Sequence, residues 1–349
     1  MRVFYSDVHA THEPQNFLVS GAPQPNPEVA ARAEALLSAA TAAGHNTLRV
    51  DAETDLSDLA AIHTPEYLQF LAGIFERWQR IEGASAEVVP NIHPNWRDGR
   101  YPASAVGQAG YHMADTACPI SAGTWVAAKA SAGLALAAAK AVFEDLDEGR
   151  GASAAYALCR PPGHHAFTDM AGGFCYLNNV AIATQWLRRH VARVAVLDVD
   201  LHHGNGTQGI FYGRADVLTV SLHADPVRFY PFFWGHADER GQGPGLGYNL
   251  NLPLPRGSGD RPFLEALEKA LARVESFAPQ VLIVALGLDA HEGDPLAGLA
   301  VTTDGFARIG AAIARLPLPT LLVQEGGYLT AALGENLVSF LKGFEDGRR

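Results

Sequence analysis

Apolar residues in this chain gather into short unbroken runs, separated by longer stretches with helical spacing. Six runs read as strands: Arg2 to Tyr5, Ala154 to Leu158, Arg193 to Val199, Val217 to Leu222, Val281 to Leu286 and Thr320 to Val323. Runs rich in Val, Leu, Ile and Ala, without polar alternation, suit parallel strands covered on both faces. Their alternation with helical segments predicts an α/β fold, a parallel sheet with helices on both faces. Ligands in such sheets collect beyond the carboxyl ends of the strands. Behind five of the runs stand Arg160-Pro161-Pro162-Gly163-His164-His165, Asp198-Val199-Asp200-Leu201-His202, Ser221-Leu222-His223, Gly287-Leu288-Asp289 and Glu325-Gly326-Gly327-Tyr328. The side chains capable of chemistry therefore fall on one predicted edge.

Two stretches break the pattern, Ala22 to Pro27 and a longer one at about 83–124 with Pro90, Pro94, Pro102 and Pro119. Loops of that length are functional or disordered. Trp96, Tyr101, Tyr111 and Met113 argue for packing over an active-site mouth, against a second subunit, or both. Trp125 to Leu146 is apolar and Ala-rich, but Lys129, Lys140, Glu144 and Asp145 mark a protein helix rather than a membrane span. With 48% hydrophobic and 18% charged residues the chain can bury a large core, so one domain over 1–349 is expected. A formal charge of −11 disfavours nucleic acid and suits a cationic substrate. The opening residues hold no long apolar signal segment, which makes a cytoplasmic location the expectation. Cys118, Cys159 and Cys175 have neither even number nor C-x-x-C spacing, and read as buried free thiols.

Extended chain sends residues two apart to the same side, so Asp198, Asp200 and His202 are expected to converge. Two carboxylates and an imidazole suit a divalent ion such as zinc, although a solvated Asp/His turn has the same spelling. Asp289 closes a buried run and is the natural third ligand beside Asp200 and His202; alone it would read as a helix cap or turn residue. His164 and His165 follow a loop pinned by two prolines and a glycine, and could move protons at one small site or serve structure only. Tyr328 follows two glycines, and its hydroxyl could donate to an oxyanion or simply pack. Other enzyme classes lack their signatures. There is no G-x-S-x-G elbow and no P-loop, and Gly241 to Gly245 does not open a helix after a strand.

Taken together, Arg160 to His165, Gly172 to Asn179, Asp198 to Gln208, Ser221 to His223, Asp289 and Glu325 to Tyr328 resemble the zinc-dependent histone deacetylase superfamily. Among its branches the chain is most similar to bacterial acetylpolyamine amidohydrolases. The resemblance implies the arginase-deacetylase fold, one open α/β domain around an eight-stranded parallel sheet. It assigns Asp200, His202 and Asp289 to zinc, with iron(II) or cobalt as substitutes. His164 and His165 become the tandem histidines, His165 the principal proton-transfer group, and Tyr328 the carbonyl-polarising tyrosine. Asp198 then leaves the zinc set. It would orient His164 and bind a structural potassium ion with the Ser221 hydroxyl and the carbonyls of Asp200, His202 and Leu222. Phe211, Arg214, Val217 and Tyr248 fall where the family holds a second monovalent cation. Asn205 stands where many eukaryotic deacetylases have an aspartate beside the second histidine, so His165 should be less basic here.

Phe174 and Tyr230 match the walls of the substrate tunnel, Gly173 matches the backbone that contacts the substrate chain, and the 83–124 insertion matches a loop that builds a homodimer and narrows the entrance. Val106 occupies a position that is acidic in the polyamine enzyme this chain most resembles, while Asp115 matches a second acidic position and is expected to bind the substrate. The reaction implied is removal of an acetyl group from a small N-acetylated amine, such as an acetylated polyamine or diamine. Deacetylation of acyl-lysine in peptides, or hydrolysis of another small amide, is the alternative. An arginase-type ureohydrolase and a ligand-binding pseudo-deacetylase are less consistent with the motifs.

Overall fold

In the computed structural model, which describes residues 1–50, 54–97 and 99–349, the six apolar runs become the six inner strands of one parallel sheet. In chain order the strands are β1 (Arg2–Tyr5), β2 (Asn16–Val19), β3 (Ala22–Pro25), β4 (Asn46–Arg49), β5 (Ala154–Ala157), β6 (Val194–Asp198), β7 (Val217–Ala224), β8 (Asn249–Leu254), β9 (Val281–Leu286) and β10 (Thr320–Gln324). The main sheet has eight strands in the order β4-β1-β5-β10-β9-β6-β7-β8. Its two edges, β4 and β8, are the strands that the apolar pattern misses. Their sequences, Asn-Thr-Leu-Arg and Asn-Leu-Asn-Leu-Pro-Leu, alternate or carry polar residues because an edge is covered less completely.

Side chains leave β6 alternately, Val194 and Val196 into one core and Ala195 and Leu197 into the other. The first core is closed by the helix Thr124–Asp147, the second by the helices Asp260–Phe277, Thr303–Ala314 and Leu333–Asp346. Thr124–Asp147 is long and apolar enough to cross a membrane by length and composition, yet it is mostly buried against the sheet. Alanines at 128, 132, 135 and 139 let it approach closely.

The long irregular stretch holds an element that the residue pattern did not predict. It contains a helix, Ala105–His112, capped by Ser104, whose Oγ accepts the Gly107 N–H at 3.0 Å. A bridge between Val88 and Ile120 closes its base, and Arg97 pairs with Asp169 at 2.8 Å. Eight helical residues among prolines carry too short a period to read in sequence; residue 98 of this stretch lies outside the described residues. The break at Ala22 to Pro27 is also resolved differently. Ala22–Pro25 pairs with Asn16–Val19 as an antiparallel hairpin, turned at Ser20 and Gly21 with φ of +50° and +81°.

Two histidines in this scaffold are buried away from the sheet edge. His63 Nε2 accepts the Asn178 N–H at 3.0 Å, and its Nδ1–H donates to the Thr168 carbonyl at 3.3 Å. His12 sits 3.0 Å from the Thr124 hydroxyl. Burial pushes both imidazoles down to about 4. The unfolded chain takes up protons near the ordinary value of about 6.5, before the folded protein does, so stability is lost as pH falls through that window. The urea midpoint is therefore expected to be lower at about pH 5 than at about pH 7.5. His63→Gln, which keeps an acceptor for the Asn178 amide, should flatten that decline; an unchanged slope would count against the assignment.

Candidate active site

The strand order places the ends of β10, β9 and β6 side by side, so the segments behind them meet. Asp198, the last residue of β6, lies level with Ala285 on β9 and Ser221 on β7. Just beyond, one ligand atom each from Asp200, His202 and Asp289 lies within 4.8 Å of the others, and all three residues are buried. His202 Nδ1 sits 3.1 Å from Asp289 Oδ2 and 3.3 Å from Asp200 Oδ1. Backbone donors hold the carboxylates: the Leu201 N–H reaches Asp289 Oδ1 at 2.9 Å, and the Gly326 N–H reaches Asp200 Oδ2 at 2.7 Å. A Cβ on Gly326 would overlap both carboxylates, which explains glycine at this position.

These residues fit a divalent cation. Burial, reinforced by the Asp200 charge, pushes the Asp289 carboxyl up to about 6, the mark of two carboxylates crowded without enough positive charge. Asp198 does not join them, contrary to the expectation from residue spacing. The strand ends at Asp198, so the period of two is lost, and Asp198 Oδ2 instead accepts the His164 Nδ1–H at 2.9 Å. Asp198 and Ser221 share a small buried void with Thr207 and Gln208, and the Ser221 hydroxyl lies 2.8 Å from His223 Nδ1. Leu222 follows on β7. Val217 is at the opposite end of that strand, where the Phe211 carbonyl accepts the Arg214 N–H at 2.9 Å and the Tyr248 carbonyl the Thr219 N–H at 3.1 Å.

The tandem histidines face the same cavity with their ring centroids 4.0 Å apart. His165 Nδ1–H donates to Asn205 Oδ1 at 2.7 Å, which leaves Nε2 with its lone pair. Burial, with the neighbouring His164 and His202, pushes His165 well below the ordinary imidazole range. Burial also opposes charge on His164, but the carboxylates of Asp198, Asp200 and Glu325 outweigh it and hold His164 above that range. The pair thus has two different protonation tendencies, as proton donor and acceptor roles require.

A cavity of about 280 Å³ reaches these groups from the surface. Phe174, Tyr230 and Phe232 form much of its wall, with Tyr328 and Gly326 at its base and Leu18 to Ser20 from the β2–β3 hairpin also on its lining. Gly173 has φ of +49°, and a Cβ there would come within 2.7 Å of the Tyr230 hydroxyl. Asp115 is not part of this wall. Its carboxylate accepts the Tyr230 hydroxyl at 2.7 Å, the Ala117 N–H at 2.8 Å and the Gly173 N–H at 3.2 Å, so it braces the lining from behind. Val106 is packed against the core and does not reach the cavity.

Sequence reasoning overlooked the hairpin, Asp294 and a buried charge cluster. Asp294 Oδ2 accepts the Tyr328 N–H at 3.0 Å. Arg32 lies 4.7 Å above the Tyr328 ring, donates to the Gly327 and Glu325 carbonyls, and pairs with Glu28 at 2.6 Å. The i,i+4 spacing of Glu28 and Arg32 was a legible signal of this pair.

A histone deacetylase domain matches residues 26–344 of the chain. The chain belongs to the histone deacetylase family. Membership makes it an amidohydrolase of linear amides and implies a catalytic metal. An acetylpolyamine amidohydrolase from Burkholderia pseudomallei is 47% identical over 348 residues, which cover 99% of this chain and 98% of the relative. Acetylpolyamine amidohydrolase 1 from Pseudomonas aeruginosa is 44% identical, with 99% of each chain covered. The crystal structure of an acetylpolyamine aminohydrolase from B. pseudomallei matches with a TM-score of 0.93 at 47% identity, covering 99% of this chain and 98% of that one. The HD domain of HDA15 matches more distantly, with a TM-score of 0.79 at 29% identity, covering 99% and 91%. The family fold accounts for the eight parallel strands.

Proposed function

We propose that this protein is a zinc-dependent deacetylase of small N-acetylated amines, acetylated polyamines and diamines foremost. The observation that carries the reading is the meeting of Asp200, His202 and Asp289 with His164, His165 and Tyr328 around one cavity. Full-length relatives that are named acetylpolyamine amidohydrolases, at 39–47% identity, support the substrate class. The charge of −11 would favour encounter with cationic amines.

Asp200, His202 and Asp289 would hold the zinc, which when bound supplies Lewis-acid polarisation of the amide carbonyl and a water of lowered pKa. The chain's own groups do the rest. Tyr328 donates its phenol O–H to the carbonyl oxygen as negative charge develops there. His165 Nε2, kept unprotonated by burial and by its Nδ1–H bond to Asn205, takes the proton of the attacking water and returns it to the leaving amine nitrogen. His164, held positive by Asp198, supports the developing negative charge. Phe174, Tyr230 and Phe232 surround the substrate chain and exclude water, with Gly173 allowing close backbone approach. Asp198 and Ser221 would hold a structural potassium ion beneath His164 with the Asp200, His202 and Leu222 carbonyls. Phe211, Arg214, Val217 and Tyr248 are assigned to a second monovalent cation.

Stripping the metal is expected to abolish turnover, and one equivalent of zinc to restore it. The test is steady-state hydrolysis of acetylputrescine, acetylspermidine and an acetyl-lysine peptide by stripped and reconstituted protein. Faster turnover of the small amines supports the reading; faster turnover of the peptide replaces it with a peptide deacetylase. Full activity without metal would sink the mechanism. We assign the protein to the cytoplasm and to a homodimer built on the 83–124 insertion, where Ile92 and Trp96 are exposed. Light scattering that finds a monomer at every concentration would remove the dimer.

A further inference from the structure

We propose that a second divalent cation of borderline softness, zinc itself or cobalt, binds His164, Cys175 and Glu325 and thereby inhibits the enzyme. One ligand atom from each of these residues lies within 4.8 Å of the others, and all three residues are buried. An imidazole, a thiolate and a carboxylate form a donor set suited to zinc or cobalt. None of the reaction steps above uses Cys175 or Glu325.

Glu325 supplies a second, independent sign of a ligand. Its Oε2 accepts the Gly163 N–H at 2.7 Å and the His164 N–H at 3.0 Å. Its Oε1 is fully buried and has no hydrogen-bond partner. A buried carboxylate oxygen left in this state is unfavourable, and coordination to a cation removes the cost. His164 Nδ1 is engaged with Asp198, so Nε2 is the atom it can offer once its proton is given up. His164 also lines the catalytic cavity, which gives an ion a route inward.

Asp200 Oδ1 lies 3.8 Å from His164 Nε2, so a carboxylate stands beside both sites to screen one cation from the other. Pairs of divalent ions about 3.5–4 Å apart are held in enzymes by such carboxylates. On binding, the Cys175 thiol and the His164 Nε2–H each give a proton to solvent, and the freed sulfur and nitrogen lone pairs go to the cation, with no change of oxidation state. His164 then has no Nε2–H to donate toward the negative charge that develops in the reaction, which is why the second ion would inhibit.

The inhibitory consequence rests on the proposed function, whereas binding does not, and a spectroscopic readout separates the two. Metal-free protein would be titrated with cobalt(II), recording metal content, the near-ultraviolet thiolate-to-cobalt charge-transfer band and turnover of acetylputrescine. The first equivalent is expected to restore turnover without the band. The second should raise the band while most of the turnover is lost. Cys175→Ser should bind the first equivalent, keep its turnover, and show neither band nor inhibition; Cys175→Ala serves if the serine variant misfolds. Saturation of the wild type at one equivalent, or inhibition that persists in both variants, would overturn the site. A second equivalent with the band but undiminished turnover would overturn the inhibition.

Discussion

Tyr328→Phe is expected to lower kcat by about 100- to 1,000-fold while leaving KM within a few fold, the loss seen when one oxyanion donor is removed. The phenol is buried at the cavity base, and burial, with the charges of Asp289, Asp200 and Asp294, outweighs Arg32 to push its pKa well above the ordinary value. It therefore keeps its proton at neutral pH and can donate. The ring is positioned independently of that hydroxyl, by Arg32 at 4.7 Å, by Phe174 in edge contact at 5.8 Å and by the Asp294 bond to its amide. Phenylalanine should accordingly occupy the same place, with metal content and thermal stability unchanged. Steady-state kinetics beside metal analysis checks this. A variant with nearly full kcat would remove Tyr328 from the reaction, and a variant that lost metal would show a different role.

Glu28→Gln is expected to destabilise the fold by about 3–5 kcal/mol, because it leaves buried positive charge without its counter-ion. Glu28 is fully buried and meets Arg32 at 2.6 Å, Arg160 at 2.9 Å and His12 at 3.5 Å. Burial opposes its charge, but Arg160 and Arg32 prevail and hold the carboxyl below its usual range. The two guanidiniums are tied to backbone that cannot follow them to water. Arg160 donates to the His9 and His12 carbonyls, and Arg32 to those of Gly327 and Glu325 beside Tyr328. A domain has only about 5–15 kcal/mol to lose, so the variant should unfold at much lower urea. The surviving folded fraction should also turn over more slowly, because the loop that carries Tyr328 loses its brace. A double-mutant cycle with Arg32→Met checks the origin. Strictly additive effects would mean that the pair is not the source.

The apolar runs exposed the inner strands because those strands are buried on both faces, whereas β4 and β8 at the edges carry polar residues and no such signal. The same logic applies at the site. Asp200, His202, Asp289, His164, His165 and Tyr328 each follow a legible strand, and the rule that ligands gather at carboxyl ends was enough to group them. Asp115, inside the insertion, was legible only as a match to an acidic substrate-binding position of the polyamine enzymes. Its role as a brace depends on Tyr230 and Gly173, which are distant in sequence and meet it only in the fold. Arg32 and Asp294 touch the reacting loop through backbone carbonyls and an amide, contacts that no residue pattern encodes.

What the sequence by itself determined was the parallel sheet, the edge on which the chemistry lies and, through its motifs, the family. Those features depend on local apolar periodicity and on residue types at short spacings, which are properties of the chain before it folds. For Asp198 residue spacing and family motif disagree, the first aiming it at the metal cluster and the second at His164; in the structure it accepts from His164, because β6 ends there and the alternation stops. The tertiary structure also decided that Asp115 stands behind the cavity wall, that a hairpin from the first residues lines its mouth, and that Glu325 keeps one buried oxygen unpartnered beside Cys175 and His164. Each of these is a matter of distance between segments far apart in the chain, and only the order in which β10, β9 and β6 pack brings them together.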